Sequence, residues 1–280
     1  HNKNHSATHN KNERQSTMGL TTAFVNIGGM IFIMGGGQLA ASSNWFNNYW
    51  IYVFSALVLL VVFALVPYHP QSMNDETVVE RNAKIHLNKY VFDCAFWGFC
   101  IMLLNNVLNN NISLFVVEQD IGATSQAALT STVSLVGGMI CGFFVGVIGK
   151  RFKTSSISIA FILYGLSYLL IGFSNSLFMI FLGSFVVGAA MSIAMGQFPY
   201  LLSISVDQNS VSMAIGIYAA INSIGGAVSS FIVNPLTKAC NNLGLNVFSV
   251  SGFLALTLGV VCLAVKFQTK LVNDSLLVRN

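Results

Sequence analysis

Long stretches without a charged residue constrain the fold of this chain more than any other feature. Each stretch exceeds the roughly 20 apolar residues that a helix needs to cross the hydrocarbon core of a bilayer. Only 8% of the residues are charged, whereas soluble domains carry about a quarter, so the chain cannot cover itself with a water-facing surface. Asp, Glu, Lys and Arg are absent from residues 15–74, 94–117, 121–149, 154–206, 208–237 and 239–265.

These windows predict an all-α membrane protein with eight transmembrane helices. The two longest windows are each divided by a polar turn, "ASSNWFNN" (41–48) and "GFSNS" (172–176). Strands of a membrane barrel alternate apolar and polar residues over about ten positions, whereas the apolar runs here are continuous. The predicted spans are 18–41, 47–67, 89–117, 123–149, 155–173, 175–204, 209–236 and 245–268.

The positive charges predict how these helices are oriented. Lys and Arg collect in short loops on the cytoplasmic side of a membrane. With the N-terminus in the cytoplasm, every Lys and Arg except Lys238 falls in a cytoplasmic segment, while Glu118 and Asp120 fall in an external loop. The pattern predicts a multi-pass protein of the plasma membrane with both termini in the cytoplasm. It also explains the net charge of +4 without a nucleic-acid partner.

Two segments that lie six spans apart are similar in sequence. "GLTTAFVNIGG" (19–29) belongs to the first predicted span and "GIYAAINSIGG" (216–226) to the seventh. Both start from the predicted cytoplasmic side, so the repeat is parallel, like the repeat that relates the two six-helix halves of major facilitator transporters. The closing glycines of the second copy, Gly225 and Gly226, are expected to allow close helix packing.

The chain resembles the major facilitator superfamily over essentially its whole length. "NERQSTMGL" (12–20) is similar to the start of the fifth helix of that superfamily, and the 68–89 loop is similar to the link between its halves. The resemblance implies helices five to twelve of a two-lobed, twelve-span bundle, with the first four missing as in a fragment. The implied parts are a cytoplasmic loop (1–17), the last two helices of the N-terminal half (18–67), a cytoplasmic linker (68–88), the C-terminal six-helix half (89–270) and a cytoplasmic tail (271–280).

Two motifs of the superfamily are present in part. Drug–proton antiporters carry G-x8-G-x3-G-P-x2-G-G in the fifth helix, and here Phe32 and Ile33 replace the central Gly-Pro. The loop motif G-x-L-a-D-R-x-G-R-K is retained at Gly146 and Arg151, while Lys150 stands at the position of its Asp. The glycines that match the antiporter motif, and that are expected to pack against other helices, are Gly19, Gly28, Gly36 and Gly37.

Five asparagines lie within seven residues of the third predicted span, in "LLNNVLNNNISLF" (103–115). An amide without a partner in hydrocarbon costs roughly 2–7 kcal/mol, so these side chains must face protein or water. One interpretation is an early helix end, and the other is a broken outer helix that lines a substrate path. With 3.6 residues per turn, Asn111 points elsewhere. An arc of about 140° holds the other four, Asn105, Asn106, Asn109 and Asn110.

Asp93 is the one acidic residue within a predicted span. Ionisable groups inside a membrane are candidates for function, and a carboxyl group can carry a coupling proton. However, Lys89 lies four residues earlier, at ion-pair spacing, and both residues lie near the cytoplasmic end of the span. The sequence therefore favours a structural Lys89–Asp93 pair over proton coupling.

Polar residues of the later spans are further candidates for substrate contact. Gln197 lies in "GQFPY" beside Pro199, which removes a backbone hydrogen bond and can open the helix. Tyr218 and Asn222 lie in the repeat segment of the seventh span. Hydrogen bonds between helices are the commoner role of such residues.

The sequence contains no Walker A loop, no zinc signature and no set of nucleophile and base, so we expect no metal, no cofactor and no enzymatic activity. The primary hypothesis is a secondary active transporter that moves a small organic solute by alternating access, through efflux of drugs or metabolites in exchange for protons. One alternative is uptake of a sugar or other polar metabolite, which the amide-rich face favours. Another is a truncated, non-transporting membrane protein, because two spans of one half cannot enclose a path with six of the other.

Overall fold

The computed structural model describes residues 17, 20–32, 51–65, 87–152, 154–207 and 210–277. These residues form α-helices joined by short turns, one of which is a 3-10 turn at Asn241–Leu243, and the described part of the chain contains no strand. The helices are α1 (Leu20–Phe32), α2 (Ile51–Leu65), α3 (Lys89–Glu118), α4 (Thr124–Phe152), α5 (Ser156–Gly172), α6 (Leu177–Ser205), α7 (Val211–Ala239), α8 (Val247–Val265) and α9 (Phe267–Leu277).

Among the described residues, five segments are long and apolar enough to cross a membrane: α3, α4, α6, α7 and the continuous segment Val247–Asp274, which comprises α8 and most of α9. Shorter apolar helices are α1 and α5, and α2 is a further apolar helix of 15 residues. Each of the eight predicted spans contains one helix. For the long spans the bounds agree within a few residues, as for the prediction of 89–117 and the helix Lys89–Glu118.

The chain divides into two compact units, one of residues 1–27 and 86–280 and the other of residues 28–85. The second unit contains α2, whose described side chains are exposed. The first contains the helices from α3 onward and the beginning of α1, which packs on α4 where Ala23 and Asn26 meet Gly142 and Gly138. Of the predicted 68–88 linker, only the last two residues lie within the described part of the chain.

Glycines bring the helices of the first unit into backbone contact. In the α4–α6 pair, a Cβ added to Gly137 would lie 2.0 Å from the carbonyl oxygen of Phe185, and one added to Gly188 would lie 1.7 Å from that of Ser134. Without a hydrophobic drive between helices in lipid, such close approach of backbones is a main source of attraction. The glycines therefore help to fix which helices are neighbours.

The ends of the helices collect on two opposite faces of this bundle. On one face Asn88 caps α3 and donates to the carbonyl of Ser205 at the end of α6. On the other face Asn246 caps α8 and donates to the carbonyl of Gly172 at the end of α5. An N-terminus thus lies beside a C-terminus on each face, which is the antiparallel arrangement that alternating spans require.

Helix α9 was not predicted from the sequence. The chain turns at Lys266, whose φ of 52° lies in the left-handed region. Phe267 then stacks on Trp97 of α3, with ring centroids 5.9 Å apart and planes inclined by 20°. The amide oxygen of Gln268 accepts a hydrogen bond from the backbone N–H of Ile157 at 3.1 Å. Helix α9 is therefore attached to the N-terminal part of α3 and to the first turn of α5.

Candidate solute pathway

Helix α3 runs without interruption through the asparagines to Glu118. Both predictions for its backbone, an early end and a break, are therefore wrong. The reason is that the amides find partners while the helix stays intact. Asn106 and Asn111 donate to the carbonyls of Met102 and Val107, one turn earlier in the same helix.

The outer asparagines bond to serine side chains on the neighbouring helices α4 and α7. Asn109 accepts a hydrogen bond from Ser131 of α4 at 3.4 Å, and Asn110 donates to Ser230 of α7 at 3.0 Å. The side chains of Asn109 and Asn110 are exposed, and that of Asn106 is half-buried against Gly226. We call these polar side chains the amide groove; it consists of Asn106, Asn109, Asn110, Ser131 and Ser230. The groove offers donors and acceptors of hydrogen bonds but no charge.

Asn105 does not face the amide groove, although it was predicted on the same arc. Its amide oxygen accepts a hydrogen bond from the hydroxyl of Tyr164 on α5 at 3.1 Å. Tyr164 is fully buried, so this contact lies inside the bundle. The structure therefore separates Asn105 from the three asparagines with which it was grouped.

The candidates on α6 and α7 also lie inside the bundle. Tyr218 packs against Gly98 of α3 and against Phe198, whose ring centroid lies 5.3 Å from its own. Asn222 is 5% exposed and Gln197 is 1% exposed. Within the described part of the chain, the amide oxygen of Asn222 has no hydrogen-bond partner. A buried acceptor of this kind costs free energy unless something else supplies a donor.

The Lys89–Asp93 pair favoured by the sequence is absent: Lys89 instead lies over the ring of Tyr90, with 5.0 Å between its nitrogen and the ring centroid. No ion pair between Lys89 and Asp93 is formed, although both residues are described. Asp93 is half-buried near the start of α3. The prediction of a structural pair is therefore wrong, because the cation–π contact draws the ammonium group to the aromatic ring.

The predicted helix-packing residues have different surroundings. A Cβ on Gly225 would lie 2.4 Å from the carbonyl oxygen of Phe99, so α7 and α3 touch there, whereas Gly28 has no described atom within 4 Å of its Cβ position. Gly146 is buried and Arg151 is exposed near the end of α4. Helix α6 continues through Pro199 to Ser205. The motif glycines Gly19, Gly36 and Gly37 lie outside the described residues.

Sequence reasoning missed the groove serines Ser131 and Ser230 and the partner of Asn105. Ser131 lies 22 positions from Asn109, and Tyr164 lies 59 positions from Asn105. No local pattern connects residues so far apart. Serines are common in these spans, so composition alone did not distinguish them.

A bundle of long apolar helices that carries a group of uncharged polar side chains defines a multi-pass membrane protein. Among the described residues, no three His, Cys, Asp or Glu side chains lie close enough to bind a metal ion together. The model of the Major Facilitator Superfamily matches residues 6–230 and, in a second alignment, residues 94–272. The chain belongs to the major facilitator superfamily. No curated protein matches the chain significantly.

The family match confirms the resemblance and the all-α membrane fold predicted from the sequence. The protein is therefore a multi-pass membrane transporter with a small-molecule substrate.

Proposed function

We propose that the protein is a secondary active transporter that moves a small, uncharged, polar organic solute along the amide groove by alternating access. The observation that carries this proposal is the exposure of Asn109 and Asn110 beside hydroxyl groups on α4 and α7. Amides offer both donors and acceptors, which match the hydroxyl groups of a sugar or similar polar metabolite. A charged solute would find no opposite charge among the groove residues.

The test is transport by the full-length protein in proteoliposomes, with radiolabelled neutral sugars and polyols compared with lipophilic cations. Asn109→Ala and Asn110→Ala should each lower the uptake of the polar solute about fivefold to tenfold, since a hydrogen bond contributes about 1 kcal/mol or somewhat more. Asn111→Ala is the matched control, because Asn111 bonds to its own helix. Transport of lipophilic cations alone, or an equal loss in Asn111→Ala, would argue against a polar solute.

A second candidate is efflux of drugs or metabolites in exchange for protons. Its support is the partial glycine motif in the sequence of the first predicted span and the position of Asp93, which lacks an ion pair with Lys89 although both residues are described. A carboxyl group in a membrane span is a candidate for proton transfer. In proteoliposomes an imposed pH gradient should then drive accumulation of the solute, and Asp93→Asn should abolish the dependence on the gradient. Transport at the same rate with and without the pH gradient would exclude this candidate.

We also propose that the protein lies in the plasma membrane with both termini in the cytoplasm. Supporting this orientation, the helix ends around Lys89, Arg151, Lys266 and Lys270 share one face of the bundle, as expected for a cytoplasmic face. In this proposal residues 89–270 form the second six-helix half of the carrier. Residues 18–67 are the last two helices of the first half.

A further inference from the structure

Three consecutive residues of α3 accept hydrogen bonds from side chains on other helices. The hydroxyl of Ser229 on α7 donates to the carbonyl of Leu103 at 2.7 Å. From α5, Tyr168 donates to the carbonyl of Leu104, and Tyr164 donates to the amide oxygen of Asn105. All of these bonds reach α3 at one level, immediately before the amide groove begins at Asn106.

The donors are buried, so each hydroxyl group depends on α3 for its partner. Tyr164 and Tyr168 are fully buried and Ser229 is 1% exposed. The carbonyls of Leu103 and Leu104 already belong to the hydrogen-bond ladder of α3, and the hydroxyls use their second lone pairs. Phenylalanine and alanine would fill nearly the same space without these bonds. What the hydroxyl groups add is a fixed rotation and height of α3 relative to α5 and α7.

The bond from Ser229 is directly coupled to the amide groove. Ser229 holds the backbone of α3, while the next residue, Ser230, bonds to Asn110 inside the groove. On the other side of the groove the Asn109–Ser131 contact is 3.4 Å long, so it holds α3 only weakly. A small rotation of α3 would therefore change the exposure of Asn109 and Asn110 unless the buried hydroxyls resist it.

We propose that Tyr164, Tyr168 and Ser229 are positioning residues for the amide groove. They bind α3 from two sides and turn Asn106, Asn109 and Asn110 toward the groove, and they do not contact the solute themselves. The role of the groove as a solute path rests on the proposed function. The orientation of α3 does not, and it can be measured without any solute.

The experiment measures the reaction of single cysteines at position 109 or 110 with a membrane-impermeant maleimide. The full-length protein is used in lipid nanodiscs after its five native cysteines have been replaced. Tyr168→Phe and Ser229→Ala each remove one donor, and Ser229→Thr restores a hydroxyl group at position 229. Ser184→Ala is the matched control for serine, because Ser184 is buried and bonds to its own helix. Tyr90→Phe is the control for tyrosine, since Tyr90 lies at the end of α3 that is remote from the amide groove and bonds to Asp274 of α9.

We expect Tyr168→Phe and Ser229→Ala to change the labelling rate at position 109 or 110 by about threefold or more, the effect of losing one average interhelical hydrogen bond. Ser229→Thr should return the rate to that of the parent, and both controls should leave it unchanged. Parental rates in Tyr168→Phe and Ser229→Ala would overturn the proposal. So would equal changes in the two controls, because general loosening of the bundle would then explain the effect.

Transport measured on the same variants separates this inference from the proposed function. If Tyr168→Phe changes the labelling while Asn109→Ala leaves transport intact, the positioning role is supported and the groove is not the solute path. If the labelling is parental, the positioning role is wrong whatever Asn109→Ala does to transport.

Discussion

At the scale of the residue, single glycines decide whether two helices can touch. Gly225 and Gly216 lie on the same helix, α7, but have opposite surroundings. A Cβ on Gly225 would meet the carbonyl oxygen of Phe99 at 2.4 Å, whereas one on Gly216 would have nothing within 4 Å. We expect Gly225→Ala to destabilise the protein by about 1–3 kcal/mol through overpacking. Gly216→Ala should be neutral or slightly stabilising, because alanine favours helix. Thermal unfolding in detergent measures both, and equal unfolding temperatures would contradict the α3–α7 contact.

Replacement of Asn222 is expected to affect transport without lowering stability. It is almost fully buried, and its amide oxygen has no partner in the described part of the chain. Removing a buried unsatisfied acceptor does not cost stability, so Asn222→Leu should unfold at the same or a higher temperature than the parent. If a donor group of the solute bonds to this oxygen during transport, the KM of Asn222→Leu for the solute should be severalfold higher than that of the parent.

Asn246→Ala provides the contrast to Asn222→Leu, since Asn246 caps α8. Loss of such a cap costs about 1 kcal/mol, so this variant should unfold at a lower temperature with KM unchanged. A drop in unfolding temperature for Asn222→Leu would mean that its amide has a structural partner.

Where the asparagines point was partly predictable at this scale. Helical geometry placed Asn106, Asn109 and Asn110 on one face, and the structure puts them in one groove. The same geometry included Asn105, which a tyrosine of another helix draws into the interior. Helical periodicity describes one element, whereas this partner belongs to the tertiary fold.

At the scale of the element, α9 is the helix that was not predicted from the sequence. Its contacts with the bundle depend on Phe267, Gln268 and Leu271, which are buried, while Lys270 is exposed. So short an apolar face does not produce the long hydrophobic run that identified the spans. Those spans were predictable because lipid requires continuous apolar length, a requirement that a helix at the edge of the bundle does not share.

The contacts of α9 predict that it stabilises the bundle. Phe267→Ala removes a buried ring that stacks on Trp97, and loss of a buried phenylalanine typically costs about 3–5 kcal/mol. We expect a clearly lower unfolding temperature for Phe267→Ala and an unchanged one for Lys270→Ala. Tryptophan fluorescence during heating measures both. If Phe267→Ala unfolded like the parent, α9 would not be attached to α3 as the structure has it.

At the scale of the whole molecule, the charge pattern and the repeat predicted the architecture together. Charge-free windows predicted eight apolar helices, to which the structure adds α9, and the match between residues 19–29 and 216–226 indicated the family. Neither feature specifies which solute is carried, because in the proposed function this depends on side chains brought together from α3, α4 and α7. The proposed orientation places the amide groove in the outer half of the bundle, since α3 begins on the cytoplasmic face and ends at Glu118.

The most direct test of this threading asks on which side of the membrane two exposed positions lie. One follows the end of α3 and the other lies at the end of α4, on the opposite face of the bundle. Single cysteines in place of Gln119 and Arg151 are exposed to a membrane-impermeant maleimide, first in intact cells and then after permeabilisation. We predict that position 119 reacts in intact cells and that position 151 reacts only after permeabilisation. Labelling of position 151 from outside intact cells would contradict the threading and, with it, the outward position of the amide groove.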